Sequence, residues 1–180
     1  MRHLVGIIGN NYSGSMNRKL LQYIQRRYRD RFALTLLETG TLPLFSQDAE
    51  AHPPAVVTAF RTAITAADGV IVATPEHNHS VPAVLKNALD WCSRIEHPLE
   101  DKRVMVIGAS LGPMGTVRAQ THLRQILDAP GIGAQVLPGN EFLMGRAGQK
   151  FDVHGQLVDL GTAAFLDTCI ANYLEFLERA

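Results

Sequence analysis

Apolar positions along this chain recur in two periods that take turns. Short runs of consecutive or alternating apolar residues mark strands, and stretches with an apolar residue every three or four positions mark helices. His3–Ile8 reads as a buried strand, and Ser15–Arg29 as a helix with Leu20, Leu21, Ile24 and Tyr28 on one side. Phe32–Leu37 alternates like a strand. Pro53–Ala67 is a helix opened by Pro-Pro, with Val56, Val57, Phe60 and Ile64 at helical spacing. Val70–Ala73 is wholly apolar, as expected of a central strand covered on both faces. Val81–Arg94 is a helix with Pro82 in its first turn. Val104–Ala109 is a fourth strand, Thr116–Asp128 a fourth helix, Gly133–Leu137 a fifth strand, and Leu157–Glu178 a long closing helix.

Five strands alternating with five helices predict an α/β fold: a doubly wound, five-stranded parallel sheet with helices on both faces. Right-handed crossovers and the order 2-1-3-4-5 put the point where strand order reverses between the first and third strands. No repeat, low-complexity tract or shift in composition interrupts residues 1–180, so a single domain is expected.

Charge narrows the function. Lys plus Arg and Asp plus Glu are 17 each, so the formal charge is zero. No strong field draws nucleic acid or an anionic membrane, and no acidic docking face of an electron carrier is suggested. Low net charge permits self-association. Cys92 and Cys169 show no CxxC or metal-ligand spacing and read as buried thiols of a reducing compartment. No run reaches the ~20 apolar residues of a membrane span, so a cytoplasmic protein is expected.

Three polar, glycine-containing loops follow the first, third and fourth strands, and in a parallel sheet they share one edge. Gly9-Asn-Asn-Tyr-Ser-Gly-Ser-Met-Asn17 holds two glycines, three hydroxyls and three asparagines among nine residues. A phosphate dianion needs converging N–H and O–H donors and is favoured at a helix N-terminus. Ser13, Ser15 and Asn17 can supply side-chain donors. The same residues also serve as an ordinary helix cap. The loop lacks the Lys of a Walker loop, the GxGxxG of a dinucleotide turn and the paired acids of a phosphoacceptor. Thr74-Pro-Glu-His-Asn-His-Ser80, stiffened by Pro75 and Pro82, suits a flat ring held by backbone groups. Its two histidines have no third partner to suggest a metal site.

Gly108-Ala-Ser-Leu-Gly-Pro-Met-Gly115 admits two readings. It matches G-x-S-x-G, the nucleophile elbow of α/β-hydrolases, with Asp128, Asp152 and His154 later in the chain as possible partners of Ser110. Alternatively, Gly108 and Gly112 let the backbone approach a ligand while Ser110 donates to a ring carbonyl. A phosphate loop beside two ring-framing loops points to flavin mononucleotide, FMN.

Taken together, Gly14-Ser-Met-Asn-Arg-Lys-Leu20, the run Thr74 to Trp91, Ile107-Gly-Ala-Ser110 and Arg118 to Leu127 resemble the NADPH-dependent FMN reductase family. This is a flavodoxin-like group that includes quinone, chromate and azo reductases. The resemblance implies that Ser13, Ser15, Met16 and Asn17 cradle the FMN phosphate. It implies that Pro75, Glu76, His77, Asn78 and Ser80 border the ring and ribityl chain, and that Ser110 and Gly112 approach the pyrimidine end. It further implies NADPH or NADH as co-substrate, a ping-pong cycle onto quinones, azo compounds, free flavin or similar small acceptors, and no catalytic side chain. The resemblance also implies a homodimer or homotetramer built partly through the third and fourth helices, where Asp90, Trp91, Arg94 and Arg118 lie. Tyr12 stands where many relatives carry an arginine, with Arg18 a potential substitute. His77 and His79 replace aromatics, which makes stacking there responsive to pH. An electron carrier of flavodoxin type and a Ser110 hydrolase are the alternatives.

Overall fold

The computed structural model describes residues 1–179. The elements in chain order are β1 (Arg2–Ile8), α1 (Met16–Arg27), β2 (Phe32–Glu38), α2 (Ala55–Ala66), β3 (Gly69–Ala73), α3 (Ala83–Cys92), β4 (Arg103–Ala109), α4 (Val117–Leu127), β5 (Gln135–Val136), β6 (Phe142–Met144) and α5 (Leu160–Phe176). Every strand pair is parallel, and the order is β2-β1-β3-β4-β5, as the alternation of periods predicts. The register sets Ile8 beside Ala73 and Ala73 beside Ile107, so β1, β3 and β4 end nearly level. Their three following loops therefore leave from one edge.

The fifth position differs from the expectation. One strand over Gly133–Leu137 is replaced by two short ones: β5 pairs with Arg103 and Val104, and β6 with Ile107–Ala109. Between them lies Pro138-Gly139-Asn140. Proline has no N–H to give the ladder, and Gly139 and Asn140 have φ of 63° and 51°, which turns the chain out and back. The sheet thus has six strands in five positions.

Side-chain alternation sorts the strands onto two cores. Leu4, Ile8, Ile71, Met105 and Ile107 face α1 and α5. Val5, Ile7, Val70, Val72 and Val106 face α2, α3 and α4. All ten are at most 1% exposed, as strands covered on both faces require. The helices start at their chemical signals. Ser15 Oγ accepts from Arg18 N at 3.2 Å to cap α1, and Asp159 Oδ1 accepts from Thr162 N at 2.8 Å to cap α5. That cap begins α5 three residues later than predicted, because Leu157 bridges Phe151 across a turn.

Trp91 is fully buried, donates to Pro43 O at 2.8 Å and meets the Phe45 ring edge-on at 5.1 Å. It therefore belongs to the core, not to a subunit contact. Buried Arg61 gives two N–H groups to Trp91 O, at 2.8 and 2.6 Å, and one to Arg94 O at 3.2 Å. These satisfy carbonyls left unpaired at the end of α3, where a cation also suits the helix dipole. Among the described residues no helix is long and apolar enough to cross a membrane.

Candidate functional site

The first loop begins at a contact only glycine allows. Gly9 N donates to Ala73 O at 2.9 Å, and a Cβ on Gly9 would lie 2.6 Å from that oxygen. The chain then turns so that Ser15 N donates to Tyr12 O at 3.2 Å, and α1 starts at Met16. Ser15 is 3% exposed; its oxygen receives Arg18 N, which leaves the hydroxyl proton free to donate. Asn17 has another job than predicted. Its Nδ2 donates to Ala109 O and its Oδ1 accepts from Ala109 N, both at 2.9 Å, so its amide joins the first loop to the third. Arg18 is held by both guanidinium ends on Glu38, with Nη2 2.8 Å from Oε2. It does not stand in for the missing arginine.

The second loop is a tight hairpin. His77 and Ser80 exchange both backbone hydrogen bonds at 3.0 Å, and Asn78 and His79 between them have φ of 49° and 65°. Two left-handed residues in a two-residue connection make a type I′ turn. Before it, the Glu76 carboxylate reaches α4: Oε2 accepts Arg118 N at 3.0 Å and Oε1 accepts Arg118 Nη1 at 3.2 Å. The residue before α4, Thr116, is left-handed and gives no side-chain cap. Glu76 thus caps α4 from another loop. Burial works against its charge, but Arg118 and the helix N–H groups outweigh that and hold its carboxyl below the usual range.

The third loop is braced by the segment from Phe142 to Gln149. Ser110 N donates to Met144 O at 2.9 Å, Arg146 N to Gly112 O at 2.8 Å, and Ala147 N to Ser110 O at 2.9 Å. Ser110 Oγ donates to Gly112 O at 2.9 Å and accepts from Gly115 N at 3.1 Å. Its proton is engaged inside the loop rather than offered to a ring carbonyl. No histidine bonds to it among the described residues. Asp152 instead accepts from His154 N and Gln156 N within its own turn, and the adjoining Gly155 O is held by Arg26 of α1. The hydrolase reading of G-x-S-x-G ends there.

The three loops enclose a cleft of about 350 Å³, within the usual range of small-molecule sites. Ser15, Met16 and Asn17 line it from the first loop, Pro75, Glu76 and His77 from the second, and Ser110 and Gly112 from the third. Three predicted residues stand apart. Ser13 is exposed beside the cleft, Asn78 is at the hairpin tip, and Ser80 Oγ lies 3.1 Å from His122 Nδ1 in a separate groove. Asn10 also lines the cleft and was not singled out. It is 6% exposed, with an Oδ1 that has no partner. Its position directly after the Gly9 turn was the available signal. The donor set fits a phosphate monoester with a polyol chain: an unspent Ser15 hydroxyl, a buried uncommitted amide and helix N–H groups. A Cβ on Gly112 would meet nothing within 4 Å, so backbone there is open to a planar ligand.

The NADH:(hydroxy)cinnamate reductase subunit CrdA of Vibrio ruber is 44% identical over 174 residues, covering 97% of this chain and 86% of that one. The NADH-dependent flavin reductase subunit 2 of Lactobacillus johnsonii is 41% identical over 182 residues, 98% of each chain. Among solved structures, the flavoenzyme NAD(P)H:(acceptor) oxidoreductase FerB of Paracoccus denitrificans superposes with a TM-score of 0.90 at 28% identity, covering 99% of this chain and 98% of its own. The model of the NADPH-dependent FMN reductase family matches residues 2–149, which run from the first strand through all three loops and the segment bracing the third. With that match and those identities, the chain belongs to the NADPH-dependent FMN reductase family.

Proposed function

We propose that this chain is an FMN-dependent NAD(P)H oxidoreductase that reduces small acceptors, quinones, azo compounds or free flavin, in a ping-pong cycle. The observation that carries the reading is the meeting of three loops at the strand-order reversal, the place where an α/β sheet takes a nucleotide. FMN, when bound, supplies the chemistry, accepting reducing equivalents from NAD(P)H and passing them to the acceptor. The chain's own residues bind and orient. Ser15, Asn10 and the N–H groups opening α1 would hold the phosphate and ribityl end. Pro75, Glu76 and His77 would frame one side of the ring, the carboxylate acting through the backbone it fixes. The backbone from Ser110 to Gly112 would lie at the pyrimidine end, its N–H groups favouring negative charge there.

The same reading includes a homodimer or homotetramer and a cytoplasmic setting. A groove of about 610 Å³ between α3 and α4, with Ile126, Ala129 and Ile132 on its floor, supports a subunit contact there. The two buried free thiols fit a reducing compartment.

Purified protein titrated with FMN should quench flavin fluorescence in the micromolar range and then oxidise NADPH or NADH with a quinone present. Absence of quenching rejects the reading. FMN uptake without nicotinamide turnover leaves a flavodoxin-type carrier. Ser15→Asp, which sets like charge beside the phosphate, should abolish uptake.

A further inference from the structure

We propose that the first loop grips the phosphate ester with uncharged donors alone, and that Tyr12 fixes this charge-free recognition. The proposal rests on the flavin reading above and adds how the ligand's charged end is read.

Among the described residues, no lysine or arginine lines the cleft. Two arginines on the helices that flank the cleft are spent. Arg18, in the first turn of α1, lies bidentate on Glu38 with its side chain 19% exposed. Arg118, at the start of α4, is on Glu76. Tyr12, 67% exposed, lines the cleft instead. Its ring folds back over Gly14, where a Cβ would sit 2.8 Å from Tyr12 Cζ and 2.8 Å from its hydroxyl. Gly14 is therefore the residue that lets the tyrosine lie across the loop. The neutral donors line the same cleft. Asn10 is 94% buried by its 6% exposure, and among the described residues no hydrogen bond engages its Nδ2, the donor end of an amide whose Oδ1 is also without a partner. Ser15 retains its hydroxyl proton. An amide, a hydroxyl, a phenol and the N–H groups of α1 can saturate phosphate oxygens without any ion pair.

Neutral recognition has a measurable signature. An arginine–phosphate pair at a cleft mouth weakens as salt shortens the screening length from ~10 Å at 0.1 M to ~3 Å at 1 M, whereas neutral hydrogen bonds barely respond. The test is FMN titration of the apoprotein by fluorescence quenching at 0.05 and 0.5 M NaCl. The expected Kd changes by less than about threefold across that range. Tyr12→Arg, at an exposed position that leaves the core intact, should tighten FMN by about fivefold in 0.05 M salt and lose that gain in 0.5 M. Arg18→Gln should leave FMN affinity within about threefold of the parent, since that guanidinium belongs to Glu38. A parent Kd that rises more than threefold with salt, a Tyr12→Arg variant without a salt-sensitive gain, or a larger loss in Arg18→Gln overturns the proposal while leaving an FMN protein. FMN that binds at neither salt overturns the flavin reading itself.

Discussion

Asn17 spans the gap between α1 and the end of β4 by bonding both the N–H and the C=O of Ala109, each at 2.9 Å. One amide thus satisfies two buried backbone groups across 92 residues of sequence and sets the distance between the phosphate loop and the third loop. Replacing it with leucine, close in volume and without polar atoms, leaves both Ala109 groups unpaired. Each buried unpaired group costs about 1–3 kcal/mol. The expected loss for Asn17→Leu is about 3 kcal/mol in urea unfolding, with FMN affinity reduced as well because the two loops part. A stability within 0.5 kcal/mol of the parent, taken roughly as the scatter of surface changes, refutes the clamp.

Glu76 caps α4 in place of the residue that normally would, and the ionised form is the one that does so. Its folded-state pKa lies below the ordinary 4.5. Stability from the contact is therefore full above that ordinary value and is lost as pH falls through the lowered folded one. Glu76→Gln should cost about 1–2 kcal/mol at pH 7. The gap between variant and parent should narrow as pH falls below the ordinary 4.5 and through the lowered folded value. Urea midpoints of both proteins at pH 7 and pH 3 check this; a gap that stays constant with pH assigns the loss to packing instead.

The groove between α3 and α4 gives a prediction about assembly. Leu44 is 85% exposed, yet its neighbours are pinned: Pro43 O takes N–H groups from Asn87 and Trp91 at 2.9 and 2.8 Å, and Phe45 N donates to Asn87 at 2.7 Å. An exposed apolar side chain on pinned backbone and, separately, the apolar floor of the groove each suit a contact between copies. Ile126 also packs partly against the core, so Ile126→Asp should yield monomers in light scattering with some loss of thermal midpoint, while far-UV circular dichroism keeps the parent's helix and sheet signal. An unchanged oligomer places the contact elsewhere.

How much of this was readable beforehand follows from what each feature depends on. β1, β3 and β4 were legible because strands covered on both faces must be apolar throughout, and their C-terminal loops follow from strand order alone. The split fifth position was not, because Gln135 to Leu137 and Phe142 to Met144 are each too short to show a period, and only the β4 partner reveals that they share one ladder. Within the site, Pro75 and Gly112 line the cleft where backbone decides their place, and the sequence said less where a long-range partner decides. Ser110, Asn17, Glu76 and Arg18 all carry polar groups fit for a ligand. Three of them bond across 20 to 92 residues and Ser110 within its own loop, and nothing in the local pattern announces those partners. Ser80 is three residues from His77 but on the far strand of the hairpin, which turns it to the groove beside His122.

The two glycines of Gly108-Ala-Ser-Leu-Gly112 have opposite reasons to exist, and alanine at each separates them. At Gly108 an added Cβ would fall 1.8 Å from Thr116 Oγ1 and 2.8 Å from Thr74 O, so β4 could no longer pass under the start of α4. Backbone is hard to move, and overpacking of this severity costs at least about 3 kcal/mol. Gly108→Ala should therefore unfold at markedly lower urea or accumulate as insoluble protein. At Gly112 nothing lies within 4 Å and φ is outside the left-handed range, so alanine is tolerated by the fold. The new methyl would instead stand in the cleft that Gly112 lines. Gly112→Ala should keep the parent's urea midpoint within roughly 0.5 kcal/mol while weakening FMN by about tenfold through lost approach of backbone to ring. Were Gly112→Ala to bind FMN as tightly as the parent, the third loop would lie farther from the ring than the site requires, and the pyrimidine end would have to be placed against another segment.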